Sequence, residues 1–157
     1  MMFLKGIRFI YNWYKRIKKI CRSFYYFGRF DVYVHGKIYV GNRKNIIIGE
    51  KCSVNRGVTI QGFNDVKIGK KVVLSNNSML LDGNLDYKVL TESGERVHLP
   101  SYVHIGNHVW IGAGAIILPG VSIGTRSIVA AGSIVTKSFP QDVIIAGNPG
   151  KIIKGLK

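Results

Sequence analysis

Four histidines, eight carboxylates and two cysteines are the side chains of this 157-residue sequence with the widest chemical reach. His98 closes the segment 81–98, LDGNLDYKVLTESGERVH, which also holds Asp82, Asp86, Glu92 and Glu95. A histidine among carboxylates has the composition of a general base. Its imidazole takes a proton near neutral pH, and a carboxylate can orient the ring. His35 stands far from this segment. His104 and His108 are four apart on different sides of a corner in the repeat described below, a poor chelating pair, so no metal site is expected. Cys21 and Cys52 are too few for a disulfide scaffold or a four-cysteine zinc site. A reducing, cytoplasmic location is expected.

The elements that position these residues follow from a six-residue period. Ile105, Ile111, Ile117, Ile123, Val129 and Val135 are six apart without a break. Val109, Ala115, Val121, Ser127 and Ser133 follow the first five by four residues. Ile48, Val54 and Ile60 share the period, as do Ile68, Leu74 and Leu80, and Val34 and Val40 begin it. Two-residue slips separate the blocks. Period six is neither helical nor that of one amphipathic strand. It predicts short strands joined by corners, stacked coil on coil in parallel, with the large and the small residue both pointing inward. Gly106, Gly112 and Gly124 are expected at corners because glycine reaches backbone conformations other residues avoid. The period fails over residues 81–98. A polar break in a regular coil predicts a protruding loop, and such loops carry function.

The charge is uneven. The chain has 23 Lys+Arg against 8 Asp+Glu, a formal net charge of +15. Residues 1–30 hold Lys5, Arg8, Lys15, Arg16, Lys18, Lys19, Arg22 and Arg29 with no acid, and ten of the 17 aromatics. Phe3, Ile7, Ile10, Tyr14, Ile17, Cys21 and Phe24 alternate steps of four and three, one stripe of an amphipathic helix. Gly28 is the expected stop. Three readings of this segment stand open. The stripe could pack over the open end of the coils, the helix could lie on an anionic membrane surface, or the charge could bind nucleic acid. No recognised nucleic-acid motif accompanies it, and no nucleic-acid partner is expected. The 46% hydrophobic fraction excludes a disordered basic tail. No stretch is long and apolar enough to span a membrane, and a cleaved leader is not expected. The expected organisation is a helix over 1–30 and a repeat domain over 31–157, with the loop 81–98 inserted and a C-terminal tail.

The stretch HIGNHVWIGAGAIILPGVSIGTRSIVAAGSIVTKSF, followed by AGNPGKIIK, resembles the hexapeptide-repeat acyltransferases over about residues 34–154. Within them, VWIG, GAIILPGV, AGSIVTK and AGNP resemble the sugar and polysaccharide O-acetyltransferases. The resemblance implies an all-β fold, a left-handed parallel β-helix of triangular section with 18 residues per coil. It implies acetyl-CoA as co-substrate, no metal, and a homotrimer with active sites between subunits. A carbohydrate or lipid-linked glycan acceptor in surface polysaccharide synthesis follows, at the cytoplasmic side and peripheral to the inner membrane through residues 1–30. Ala113 and Ala131, one coil apart, would let the pantetheine arm lie in a groove. Thr136 and Lys137 match the TK near the coenzyme, and Lys151 stands where relatives carry an arginine. Trp110 matches the tryptophan near the active site.

At the loop the sequence departs from its relatives. Asn84 stands where a TGHP-like string has its histidine. Against a GSHD-like string, Leu85 replaces the histidine and Asp86 is retained. GERVH loosely resembles the GDRH string of serine acetyltransferases, so His98 is the expected base, with Asp86 the second catalytic residue. Asn84, Asp82 and Trp110 are the expected acceptor-binding residues. His104 as base, or a mechanism without histidine, stays open. So do a sugar-nucleotide N-acetyltransferase and a non-catalytic binding protein of the same fold.

Overall fold

The computed structural model describes residues 2–156, with the side chains of residues 11–156 apart from 16 and 19. The period six becomes a parallel β-helix with three faces. On the first face lie Tyr33–Val34, Ser53–Val54, Val73–Leu74, Trp110–Ile111, Ile128–Val129 and Val143–Ala146. Lys151–Gly155 returns antiparallel on the last of these. The second face stacks Tyr39–Val40, Thr59–Ile60, Met79–Leu80, Ile116–Ile117 and Ile134–Val135. The third stacks Ile46–Ile48, Asp65–Ile68, Tyr102–Ile105 and Val121–Ile123.

Both sets of inward residues form one core. Val54, Ile60, Leu74, Leu80, Ile111, Ile117, Val129 and Val135 are fully buried, and so are Cys52, Val58, Ala115 and Val121. Inside the coils the buried hydroxyls of Ser78, Ser127 and Ser133 are paired, as burial requires, whereas Ser23 Oγ on the helix is buried without a partner. Ser127 Oγ donates to the Pro140 carbonyl at 3.1 Å, and Ser133 Oγ accepts from Gly147 N at 3.2 Å.

The corner glycines serve a different purpose from the one expected. Gly106, Gly112 and Gly124 have no positive φ; the left-handed corners belong to residues such as Lys71, His108 and Arg126. A Cβ on Gly112 would sit 2.5 Å from Ala131 N in the next coil, and one on Gly106 2.6 Å from Thr125 N. These glycines are fixed by coil-to-coil approach, and His108 is a corner residue.

The slips also have one cause. In the later coils 18 residues separate the partners Trp110 and Ile128. In the earlier ones 20 separate Ser53 and Val73. The surplus lies at the corner between the second and third faces, where Arg43–Asn45 forms a 3₁₀ turn in the first coil. The loop 81–98 leaves from that same corner.

Helix α1 (Met2–Phe27) ends at Gly28, whose φ of 65° closes it. Arg43 Nη1 donates to the Tyr25 carbonyl at 2.8 Å, tying this end to the first coil. Of the three readings left open for this segment, packing of the whole apolar stripe over the coils is not what the described side chains show. Tyr26 and Phe27 pack on the core, whereas Tyr14, Ile17, Cys21 and Phe24 are exposed. The stripe's side chains at Phe3, Ile7 and Ile10 lie outside the described residues. Among the described side chains of the helix, those of its last turn pack on the core.

Candidate functional site

The segment 81–98 is more regular than a loop. Gly83–Leu85 and His98–Pro100 pair antiparallel, with Leu85 opposite His98 and Asn84 opposite Leu99. Between them runs α2 (Tyr87–Ser93). Asp86 Oδ1 accepts from Lys88 N at 3.0 Å and Val89 N at 3.3 Å, and Gly94 closes the helix with a φ of 74°. Asp86, the expected second catalytic residue, is therefore the N-cap of α2. Its lone pairs face amides because a helix start leaves those N–H groups unpaired.

Asp82, expected to bind the acceptor, is likewise engaged by backbone amides. It is fully buried, and its carboxylate accepts three backbone amides at the swollen corner: Phe63 N at 2.9 Å, Asn64 N at 2.6 Å and Asp65 N at 3.0 Å. Asn64 Nδ2 returns a bond to the Asp82 carbonyl at 2.9 Å, and Gln61 Oε1 accepts Gly83 N at 3.0 Å. Asp82 anchors the ribbon and has no face toward a ligand. Asp82→Ala should strand three buried donors and cost about 3 kcal/mol. Urea unfolding would read this, and an unshifted midpoint would refute the anchor.

His98 is exposed on the ribbon, its ring edge-to-face with Phe63 at 5.4 Å between centroids. Asn84 is exposed too, but neighbouring positions of a strand project to opposite sides. Asn84 and Leu99 share one side, Leu85 and His98 the other. Phe63 is a residue the sequence reading missed. Its N–H is held by Asp82, its carbonyl accepts Asn45 Nδ2 at 2.8 Å, and its ring lies where a Cβ on Gly83 would be. That leaves a fixed, half-exposed aromatic beside His98, with no motif to flag it.

His104, outward on the third face, holds a carboxylate. Its Nε2 is 2.8 Å from Asp65 Oδ2, which also accepts Lys67 Nζ at 2.8 Å. The Lys67 hydrogen bond, then the His104 one, holds the Asp65 carboxyl below the usual carboxylate range. The Tyr102 ring lies 4.6 Å from that of His104.

The residues expected to meet the coenzyme divide between two corners. Gly132 N donates to the Ala113 carbonyl at 2.8 Å, so Ala113 and Ala131 stack at the corner between first and second faces. The two preceding coils place Arg56 and Asn76 in this column, as the bonds from Asn77 N and Gly114 N show, and the first coil places Gly36 there, against Arg56. The corner is thus filled by long side chains in the two middle coils and open beside the two alanines. Lys151 pairs with Ala146 below it. Trp110 is half-exposed on the first face, its Nε1 donating to Ser75 Oγ at 2.9 Å. Thr136 and Lys137 follow Ile134–Val135 and so lie at the other corner, below the ribbon. One chain therefore sets Trp110, Ala113, Ala131 and Lys151 apart, across the second face, from Thr136, Lys137 and the His98 ribbon. Among the described residues no three His, Cys, Asp or Glu side chains group as a metal site.

Residues 102–137 match the family profile described as bacterial transferase hexapeptide (six repeats). The chain is similar to a maltose O-acetyltransferase from Clostridium difficile 630, with 31% identity, TM-score 0.75, and coverage of 80% of this chain and 67% of that one. The chain belongs to the hexapeptide-repeat acyltransferase family. A galactoside acetyltransferase in complex with coenzyme A shares 31% identity at a TM-score of 0.71, over 81% of this chain and 66% of that one. The galactoside O-acetyltransferase of Escherichia coli (strain K12) is 38% identical over 125 residues, 79% of this chain. The hexapeptide-repeat chain spans 61% of that relative's length.

Proposed function

We propose that the protein transfers an acetyl group from acetyl-CoA to a sugar hydroxyl. The observation that carries this is the open corner at Ala113 and Ala131, a slot for an extended arm beside two coils whose equivalent residues, Arg56 and Asn76, are bulkier. Lys151 at its lower end offers a point charge to a coenzyme phosphate. In the proposed step the acceptor oxygen attacks the thioester carbonyl and His98 takes its proton. The tetrahedral intermediate then collapses, expelling the CoA thiolate, which leaves with that proton.

The reading requires a second copy. The open corner and the His98 ribbon lie at opposite ends of the second face, so a neighbour's ribbon must meet this chain's groove. That arrangement supports a homotrimer with sites between subunits. Surface polysaccharide or a lipid-linked glycan is the proposed acceptor source, and residues 1–30 make a peripheral membrane contact. No described helix is long and apolar enough to cross a membrane.

A second base has one observation in its favour, the 2.8 Å His104–Asp65 contact. Release of free CoA from acetyl-CoA, with panels of glycosides and amino-sugar nucleotides, tests the reading. Glycoside-dependent release is the expected result. Release only with amino-sugar nucleotides would make the protein an N-acetyltransferase, and no release with either would make it a binding protein.

A further inference from the structure

Tyr11, Tyr14, Lys15, Lys18 and Arg22 recur on α1 at spacings that put them on one strip of the helix. With His35 of the first coil they line a groove of about 430 Å³. Three cations meet there, and among the described residues no carboxylate lines it. Lys15 Nζ sits 4.3 Å from the Tyr11 ring centroid and Lys18 Nζ 5.2 Å from that of Tyr14. The ring faces hold the ammonium groups in place without neutralising them. Like charges at these helical spacings repel, so the strip is poised for an anion.

The next strip of the same helix is apolar. Trp13, Ile17, Ile20 and Phe24 are at helical spacing and all are exposed. A helix with a cationic groove bordering an exposed aromatic and aliphatic strip has the composition of one lying in a bilayer interface. Bundling of α1 with copies of itself would also cover the apolar strip. It would bring together segments that each carry eight basic residues and no acid, so charge favours an anionic occupant.

We infer that the groove binds the phosphate of an anionic lipid headgroup while Trp13, Ile17, Ile20 and Phe24 enter the interface beside it. This deepens the membrane contact proposed above and rests on that part of the reading. The phosphodiester accepts hydrogen bonds from Lys15, Lys18 and Arg22, and the tyrosines flank the headgroup.

The test uses the full chain and sedimentation with vesicles of phosphatidylcholine alone or mixed with phosphatidylglycerol. Binding is expected only with the anionic lipid, with a blue shift of Trp emission. That shift should vanish in Trp13→Phe, which leaves Trp110 as the reporter of the coils. The triple variant Lys15→Gln, Lys18→Gln, Arg22→Gln keeps helix-forming side chains and should bind at least about tenfold more weakly. Circular dichroism would check that its helix is intact. Equal vesicle binding by the triple variant overturns the groove. So does loss of self-association, rather than of lipid binding, in Ile17→Ser, Ile20→Ser. Saturable binding of inorganic pyrophosphate without vesicle binding would assign the groove to a free phosphate and overturn the bilayer source. The CoA-release assay stands apart from all of these. Vesicle binding without glycoside-dependent release sinks the transferase reading alone, and release without vesicle binding sinks the groove alone.

Discussion

Replacing His98 by alanine is expected to lower turnover of acetyl transfer by about 100-fold or more, with the KM for acetyl-CoA unchanged. The ring is exposed and touches Phe63 alone among the ring contacts of the described residues, so removing it leaves the core and the ribbon's hydrogen bonds in place. The effect then reports proton transfer and not folding. As general base the ring must be neutral to take that proton. The parallel variant His104→Ala separates the two candidate bases. It removes a ring already bonded to Asp65, and full activity there with loss at His98 supports the ribbon histidine. The reverse pattern, together with a defect in Asp65→Asn, would move the base to the third face. Phe63→Ala extends the comparison, because the aromatic beside His98 can fix the ring's tilt without taking a proton.

The repeat was legible because stacking forces one rule on every coil. An inward residue that is large at one position and small four later leaves a trace along the chain. Even Cys52 sits in such a small position, buried with its thiol donating to the Gly69 carbonyl at 3.0 Å. The swollen corner was legible only as slips in phase. That the slips and the inserted ribbon share one corner depends on stacking. The roles of the acids were not legible, since a carboxylate in a polar stretch reads the same whether it meets solvent or amides. Asp82 is decided by amides near residue 64 and His104 by an aspartate 39 residues away. Asp86 left a readable signal: an aspartate seven helical residues ahead of a glycine is a cap-to-cap pattern. Helix α1 showed its stripe but not what the stripe faces, because the same periodicity serves a core, a bilayer or another helix. The residues expected to meet the coenzyme were visible as motifs, while their separation to two corners required the coil register.

Ala131→Trp is expected to abolish acetyl-CoA binding while leaving the fold intact. Ala131 is exposed, so the indole would project outward and need not displace Val129 or Ser133, which hold the core on either side. Its backbone would stay where Gly112 lets it approach, since the substitution adds nothing on the side facing that glycine. The added bulk would instead fill the slot above Lys151 and beside Ala113. Those are the atoms the pantetheine arm must pass if the open corner is the coenzyme groove. Isothermal calorimetry should find no heat of acetyl-CoA binding, at a thermal midpoint close to that of the parent. Ala113→Trp one coil earlier should act alike, because the two alanines share a column. A bulky residue at Thr136, on the other corner, tests the composite site. If a neighbour's ribbon corner completes the groove, Thr136→Trp should weaken binding in the assembled oligomer although it lies across the second face from Ala131. Unaltered binding in Ala131→Trp would move the coenzyme away from this corner and leave its opening to be explained by coil packing alone.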